Sequence, residues 1–107
     1  MVLVASVSGV LEGFAIMKFG DDDAHLLLLA VQPKSRRSGI GKALLHWLEK
    51  SCRTAGMNRV RLEVRAANRD ARLFYERMGY QYVSRMPAYY ENREAAVVMT
   101  RYLTRQR

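Results

Sequence analysis

Leu26-Leu27-Leu28-Leu29-Ala30-Val31 is the segment that most restricts the fold. A run that is apolar on both faces of an extended chain suits a central strand covered on both sides. A short buried helix is the alternative. Gln32-Pro33 and the glycines that follow favour the strand, since proline and glycine mark a turn. Gly20-Asp21-Asp22-Asp23 supplies the polar turn before it.

The flanking patterns build outward from this strand. Val2 to Val7 and Leu11 to Phe19 are rich in β-formers, and Ser8-Gly9 between them reads as a hairpin turn. From Gly39 to Ala55 the residues Ile40, Ala43, Leu44, Trp47, Leu48 and Cys52 recur at helical spacing, and Gly56 is a natural stop. Val60, Leu62 and Val64 then alternate with Arg61, Glu63 and Arg65, which is strand spacing. Asn68 is a good N-cap, Asp70 suits the first turn, and Ala71, Phe74, Tyr75 and Met78 line one face of a second helix that Gly79 ends. Tyr80 to Ser84 and Ala95 to Leu103 read as two last strands. The order β-β-β-α-β-α-β-β implies parallel pairing in the middle and antiparallel pairing at the start. The fold class is α/β (α+β), a mixed sheet with helices packed on it. Neither a repeat nor a linker interrupts the 107 residues, so one domain over 1–107 is expected.

Eighteen Lys and Arg against ten Asp and Glu leave a net charge of +8. That balance favours anionic partners such as nucleotide-like cofactors, RNA or acidic proteins, with a well-solvated basic surface as the plain alternative. One cysteine excludes an internal disulfide and fits a reducing compartment. His25 and His46 have no Cys or His at ligand spacing, so no metal is expected. Met1-Val2-Leu3-Val4 lacks a preceding basic segment and is soon interrupted by Ser6, Ser8 and Gly9, so neither a signal peptide nor a membrane span is read and the cytoplasm is the default location.

After Val31 the chain enters a basic, glycine-containing turn and then a helix. The first N–H groups of a helix lack internal partners and carry the positive end of its dipole, so this junction suits a pyrophosphate. Gly39 and Gly41 lack a Cβ, which lets an anion approach the backbone, and Arg36, Arg37 and Lys42 add charge. Gly-x-Gly alone also fits a bland turn. Neither a Walker-type Gly-Lys-Ser/Thr nor a three-glycine dinucleotide pattern is present, which argues against nucleoside triphosphates and nicotinamide cofactors.

Arg36-x-x-Gly39-x-Gly41 after an apolar strand ending Ala-Val-x-Pro resembles the acetyl-coenzyme A signature of the GNAT acetyltransferases. Leu62-Glu63-Val64-Arg65-Ala66-Ala67-Asn68, Phe74-Tyr75-Glu76-Arg77-Met78-Gly79-Tyr80 and Tyr89-Tyr90 through Arg93-Glu94-Ala95 to Val98-Met99 extend the likeness to the ribosomal-protein-alanine N-acetyltransferase branch. The resemblance covers nearly the whole chain from Val2. It implies two central strands that splay apart, with the pantetheine arm of acetyl-coenzyme A in the gap. Carried over, Leu29, Ala30 and Val31 contact the acetyl and pantetheine portion through backbone groups. Arg36, Arg37, Ser38, Gly39, Ile40, Gly41 and Lys42 hold the pyrophosphate, and Asn68 acts as N-cap, as cofactor contact or as both.

The resemblance also implies direct transfer of acetyl to a primary amine in a ternary complex, with a peptide or protein N-terminus favoured and a small amine next. Glu63 matches the proposed general base; pairing with Arg61 or Arg65, its same-face neighbours, is the other reading. Tyr75 matches the general acid; a core aromatic beside Phe74 is the other. Cys52, on the apolar stripe, reads as a buried inert thiol rather than a site of covalent acetyl transfer. Tyr89 and Tyr90 belong to the acceptor region or to a loop that tyrosines anchor. Ala95 stands where the branch usually carries an acid.

The family's usual first strand and two helices have no counterpart before Val2. An uncovered sheet edge paired with another chain, in a homo-oligomer, is therefore expected. A second class of function also fits the charge: a non-catalytic module that binds acetyl-coenzyme A and docks on the ribosome or RNA, nucleic acid being the less favoured partner.

Overall fold

A computed structural model describes residues 2–7, 10–36, 38–87, 89 and 94–103, with backbone alone for 2–7. Three strands open the chain: β1 (Val2–Val7), β2 (Val10–Phe19) and β3 (Asp23–Val31). A short 3-10 turn at Pro33–Ser35 leads into helix α1 (Ile40–Thr54). Strand β4 (Arg59–Arg65), helix α2 (Arg69–Arg77), and strands β5 (Gln81–Met86) and β6 (Ala96–Tyr102) complete the order. The expected sequence of elements is present, within one or two residues at most boundaries.

The six strands form one sheet in the order β1-β2-β3-β4-β6-β5. Among the described residues only β3 and β4 are parallel, as a strand–helix–strand crossover requires. Both helices share one core with the sheet. Leu44, Leu45, Leu48 and Cys52 of α1 join Met17, Ala24, Leu26, Val60, Leu62 and Val64, and Ala71, Phe74 and Tyr75 of α2 pack against that cluster. Each fully buried leucine contributes about 2 kcal/mol by removal of apolar surface from water. Arg61, Glu63 and Arg65 alternate with the buried valines and leucine of β4 and therefore lie on the sheet face away from the helices.

Two expectations need correction. The stripe read on α1 is rotated by about one position. Trp47 is 60% exposed and carries the Lys50 ammonium over its ring, while Leu45 and Glu49 are buried in its place. Glu49 can lie inside because both its oxygens are partnered: the Tyr80 hydroxyl donates to one at 2.8 Å and Arg101 Nη1 to the other at 2.9 Å.

The second correction concerns Leu26 to Val31, a strand that is not covered on both faces: Leu27 is 52% and Leu28 43% exposed. The register gives the reason. Met17 opposes Leu26 but Ile16 opposes Leu28, so Leu27 is an extra residue, a β-bulge in β3. The inward set changes parity there, from Ala24 and Leu26 before the bulge to Leu29 after it. The uninterrupted apolar run thus serves a single inward face that switches parity midway.

Candidate active site

The bulge lies where β3 and β4 separate. Their parallel pairing runs from Asp23↔Arg59 to Leu26↔Leu62, four pairs, although β3 continues to Val31 and β4 to Arg65. On its other side β3 stays paired with β2 as far as Val31↔Gly13. The result is a fork open toward α1. Gln32 N–H donates to the Glu12 carbonyl at 2.8 Å, so by strand alternation Ala30 turns its polar backbone groups to β2, and Leu29 and Val31 turn theirs to the fork. An extended polar ligand can pair there as an added strand does.

The closed end is tied. Asn58 N–H donates to the Asp22 carbonyl at 2.7 Å, its side-chain amide meets the Asp22 carboxylate, and Arg59 pairs with Asp23 at 2.8 Å.

At the mouth stands the N-terminus of α1. Gly39 occupies the N-cap with φ of 89°, no side chain among the described residues caps the helix, and no acidic residue lies in its first turn. Side-chain caps are common because they satisfy orphan N–H groups, so an uncapped end is suited to an outside anion. The left-handed φ explains Gly39; a Cβ there would meet nothing within 4 Å. Gly41 differs. Its missing Cβ faces inward, 3.5 Å from Phe74 and 3.6 Å from Val31, so Gly41 shapes the packing of α1 against β3 and α2.

The loop is anchored from β2. Ser35 Oγ donates to Glu12 Oε2 at 2.6 Å, the Ser38 hydroxyl donates to the Ser35 carbonyl, and Arg36 Nε donates to the Val31 carbonyl at 3.4 Å. Lys42 and His46 of α1, Phe74, Arg77 and Met78 beside them, and Arg101 of β6 line an open cavity of about 480 Å³ between the helices. This cavity is cationic and includes neither Glu63 nor Tyr75. Arg37 and Tyr90 lie outside the described residues.

Tyr75 projects from α2 into the apolar cluster, edge-on to Phe74 at 5.1 Å and to Tyr80 at 5.7 Å between centroids. Burial pushes its hydroxyl up to about 12, so the phenol stays protonated at neutral pH. The core-aromatic reading and a protonated donor therefore coexist in one side chain. Asn68 is the N-cap of α2, its Oδ1 accepting from Ala71 N–H at 3.1 Å. Cys52 is fully buried, and burial, with the Glu49 charge adding to it, pushes the thiol up to about 11, which leaves it unreactive.

Glu63 is the first β4 residue beyond the paired stretch. Its Oε1 lies 2.6 Å from His25 Nε2, and its Oε2 accepts from Arg61 Nη1. Of the two pairings open from the sequence, Arg61 is the one formed; Arg65 instead meets Glu94 at 2.8 Å. His25 is a residue that sequence reasoning misses. Ligand spacing tests it only for metal, and the signal that finds it is its place opposite Arg61 in a parallel pair. Tyr89 is 45% exposed, and no group of three His, Cys, Asp or Glu side chains suited to a metal occurs among the described residues.

In sequence and in fold the chain is similar to known proteins. An uncharacterised N-acetyltransferase of Methanocaldococcus jannaschii is 40% identical over 97 residues, which are 90% of this chain and 62% of that protein. The [ribosomal protein bS18]-alanine N-acetyltransferase of Escherichia coli is 36% identical over 95 residues, 86% of this chain and 64% of that one. The crystal structure of the Escherichia coli ribosomal-protein-S18-alanine N-acetyltransferase superposes on the whole chain with a TM-score of 0.89 at 31% identity, over 71% of its own length. PaiA N-acetyltransferase of Thermoplasma acidophilum, solved in complex with coenzyme A, superposes on 95% of this chain and 60% of its own with a TM-score of 0.83 at 26% identity. The chain thus spans somewhat under two thirds of the curated relatives it matches. The profile of the Acetyltransferase (GNAT) family matches residues 1–80, and with this fork at the foot of an uncapped helix the chain belongs to that family.

Proposed function

We propose that the chain is an N-acetyltransferase that takes acetyl-coenzyme A into the fork between β3 and β4 and passes the acetyl group to a primary amine. A peptide or protein N-terminus is the favoured acceptor, and the alanine N-acetyltransferase among the relatives supports it. One observation carries the reading: β3 and β4 stop pairing after four residues while both run on, and the uncapped N-terminus of α1 stands at the opening.

Acetyl-coenzyme A would supply an acyl group activated as a thioester. The Leu29 and Val31 backbone groups would hold its pantetheine arm, with Ala30 between them supporting the strand from β2. The N–H groups of Gly39, Ile40, Gly41 and Lys42 would grip the diphosphate, with Arg36, Arg37 and Ser38 around it and Asn68 at the start of α2. Glu63 then takes a proton from the acceptor ammonium, because only the neutral amine attacks a carbonyl. As the new C–N bond forms and the C–S bond breaks, the Tyr75 hydroxyl gives its proton to the departing thiolate, and the second proton of the attacking amine makes good that loss. By the family resemblance, Tyr89 and Tyr90 would contribute to the acceptor site.

The test is release of free thiol from acetyl-coenzyme A with a panel of N-terminal peptides and small amines. Turnover with one class names the acceptor. Binding of the cofactor without turnover on any amine would remove the enzyme reading and leave the non-catalytic module, which the net charge of +8 favours. Self-association belongs to the same proposal: β1 is a margin of the sheet, where a second copy can add a strand. A monomeric mass at every concentration would remove it.

A further inference from the structure

Three side chains from two strands meet on the sheet face away from the helices. His25 and Arg61 are opposite one another in the last paired stretch of β3 and β4, and Glu63 follows on the same face just past it. Each touches the other two. His25 Nε2 is 2.6 Å from Glu63 Oε1, Arg61 Nη2 is 3.4 Å from His25 Nδ1, and Arg61 Nη1 donates to Glu63 Oε2. A guanidinium can only donate, so Nδ1 accepts from it, the ring hydrogen is on Nε2, and Nε2–H donates to the carboxylate. Arg61 alone could follow Glu63 in any motion of β4, because both belong to that strand. His25 is the member that belongs to β3.

We propose that His25 is a positioning residue for the acetyl transfer, a tether from β3 that fixes the Glu63 carboxylate across the base of the fork. This rests on the reading of Glu63 as the base. A carboxylate swinging on a strand end samples geometries in which its free lone pairs miss the amine, and small misplacements of a reacting group cost large factors in rate. A hydrogen bond from each strand holds one oxygen each and leaves each a lone pair for the acceptor. His25 acts through Glu63, its hydrogen-bond partner. Its side chain is 25% exposed and that of Glu63 10%, so the carboxylate is the more enclosed of the two.

The experiment is steady-state kinetics with acetyl-coenzyme A and a peptide that begins with alanine. His25→Ala is expected to lower kcat about tenfold or more with little change in KM for acetyl-coenzyme A. His25→Gln, whose amide N–H reaches near the place of Nε2, is expected to restore most of that loss. Wild-type kcat in His25→Ala, or no rescue by His25→Gln, overturns the proposal. Glu63→Gln separates the two levels: if it keeps full activity the base reading itself fails, whereas if it is inactive and His25→Ala is not, only the tether fails. Nitrogen-15 NMR of wild-type His25 reads the tether with no acceptor present. A protonated Nε2 beside a bare Nδ1 is expected, and the opposite tautomer overturns it even if His25→Ala does not fold.

Discussion

The hydroxyl of Tyr75 is one oxygen among apolar neighbours, and in the proposed transfer that is what would make it a proton donor. Burial holds it protonated to about pH 12, so the donor is fully available at neutral pH. Tyr75→Phe keeps the ring and its edge-on contacts and removes only the proton, and is expected to lower kcat by about 10²-fold with unchanged KM for acetyl-coenzyme A, read by thiol release. Gly39→Val is the complementary change. Its cost is a left-handed φ forced on a β-branched residue, about 1–2 kcal/mol, and side-chain bulk at the helix mouth. Calorimetry should find weaker cofactor binding with the fold retained. The type and spacing of these residues are plain in the sequence, Gly39 as a loop glycine and Tyr75 on a helical face. Their reasons are not: the sign of φ at Gly39 and the inward direction of the missing Cβ at Gly41 depend on how α1 meets β3. Likewise Glu63 has two same-face arginines, and nothing local to β4 says that Arg65 is drawn to Glu94.

Elements are the most legible scale, because period-two and period-3.6 patterns are clear and Gly56 and Gly79 stop the helices with φ of 82° and 95°. What escapes is an irregularity inside an element. Leu26 to Val31 contains no polar residue whose misplacement would betray a change of parity, so the bulge at Leu27 is silent in the sequence. It has a direct test. Deleting Leu27 restores unbroken alternation from Ala24 to Val31 and lets β3 follow β4 past Leu62. The deleted protein should fold, by circular dichroism, yet bind acetyl-coenzyme A at least about tenfold more weakly. Undiminished binding would show that the bulge does not open the fork. On α1 the apolar stripe reads one position off because Glu49 looks like a solvent-facing residue until Tyr80 and Arg101 arrive from elsewhere in the chain.

At the scale of the molecule, those long-range partners set stability. Glu49→Ala takes the acceptor from the buried Tyr80 hydroxyl, while Arg101 keeps the Met78 carbonyl and part of its solvent, and should cost about 2 kcal/mol in urea unfolding, since a buried donor left unpaired is costly. Burial also raises Cys52 to about 11 and Tyr75 to about 12 from ordinary values of 9.0 and 10.0. Groups raised in this way favour the folded state fully below pH 9, where both states hold their protons. Above it the unfolded chain sheds protons that the folded one keeps, so stability falls as pH climbs toward 11 and 12. Thermal melts should be level from pH 7 to about 9 and decline beyond it; a level curve to pH 11 would contradict the burial of these groups. The tied end of the fork has a mechanical corollary. Asn58 joins Asp22 on one side and accepts from Leu103 N–H at 2.8 Å on the other, so the two prongs share a pinned heel, like a clothes-peg without a spring. A guest that wedges the tips apart must load that heel, and deuterium uptake at Asn58 and Leu103 should change on ligand binding although neither residue belongs to the gap.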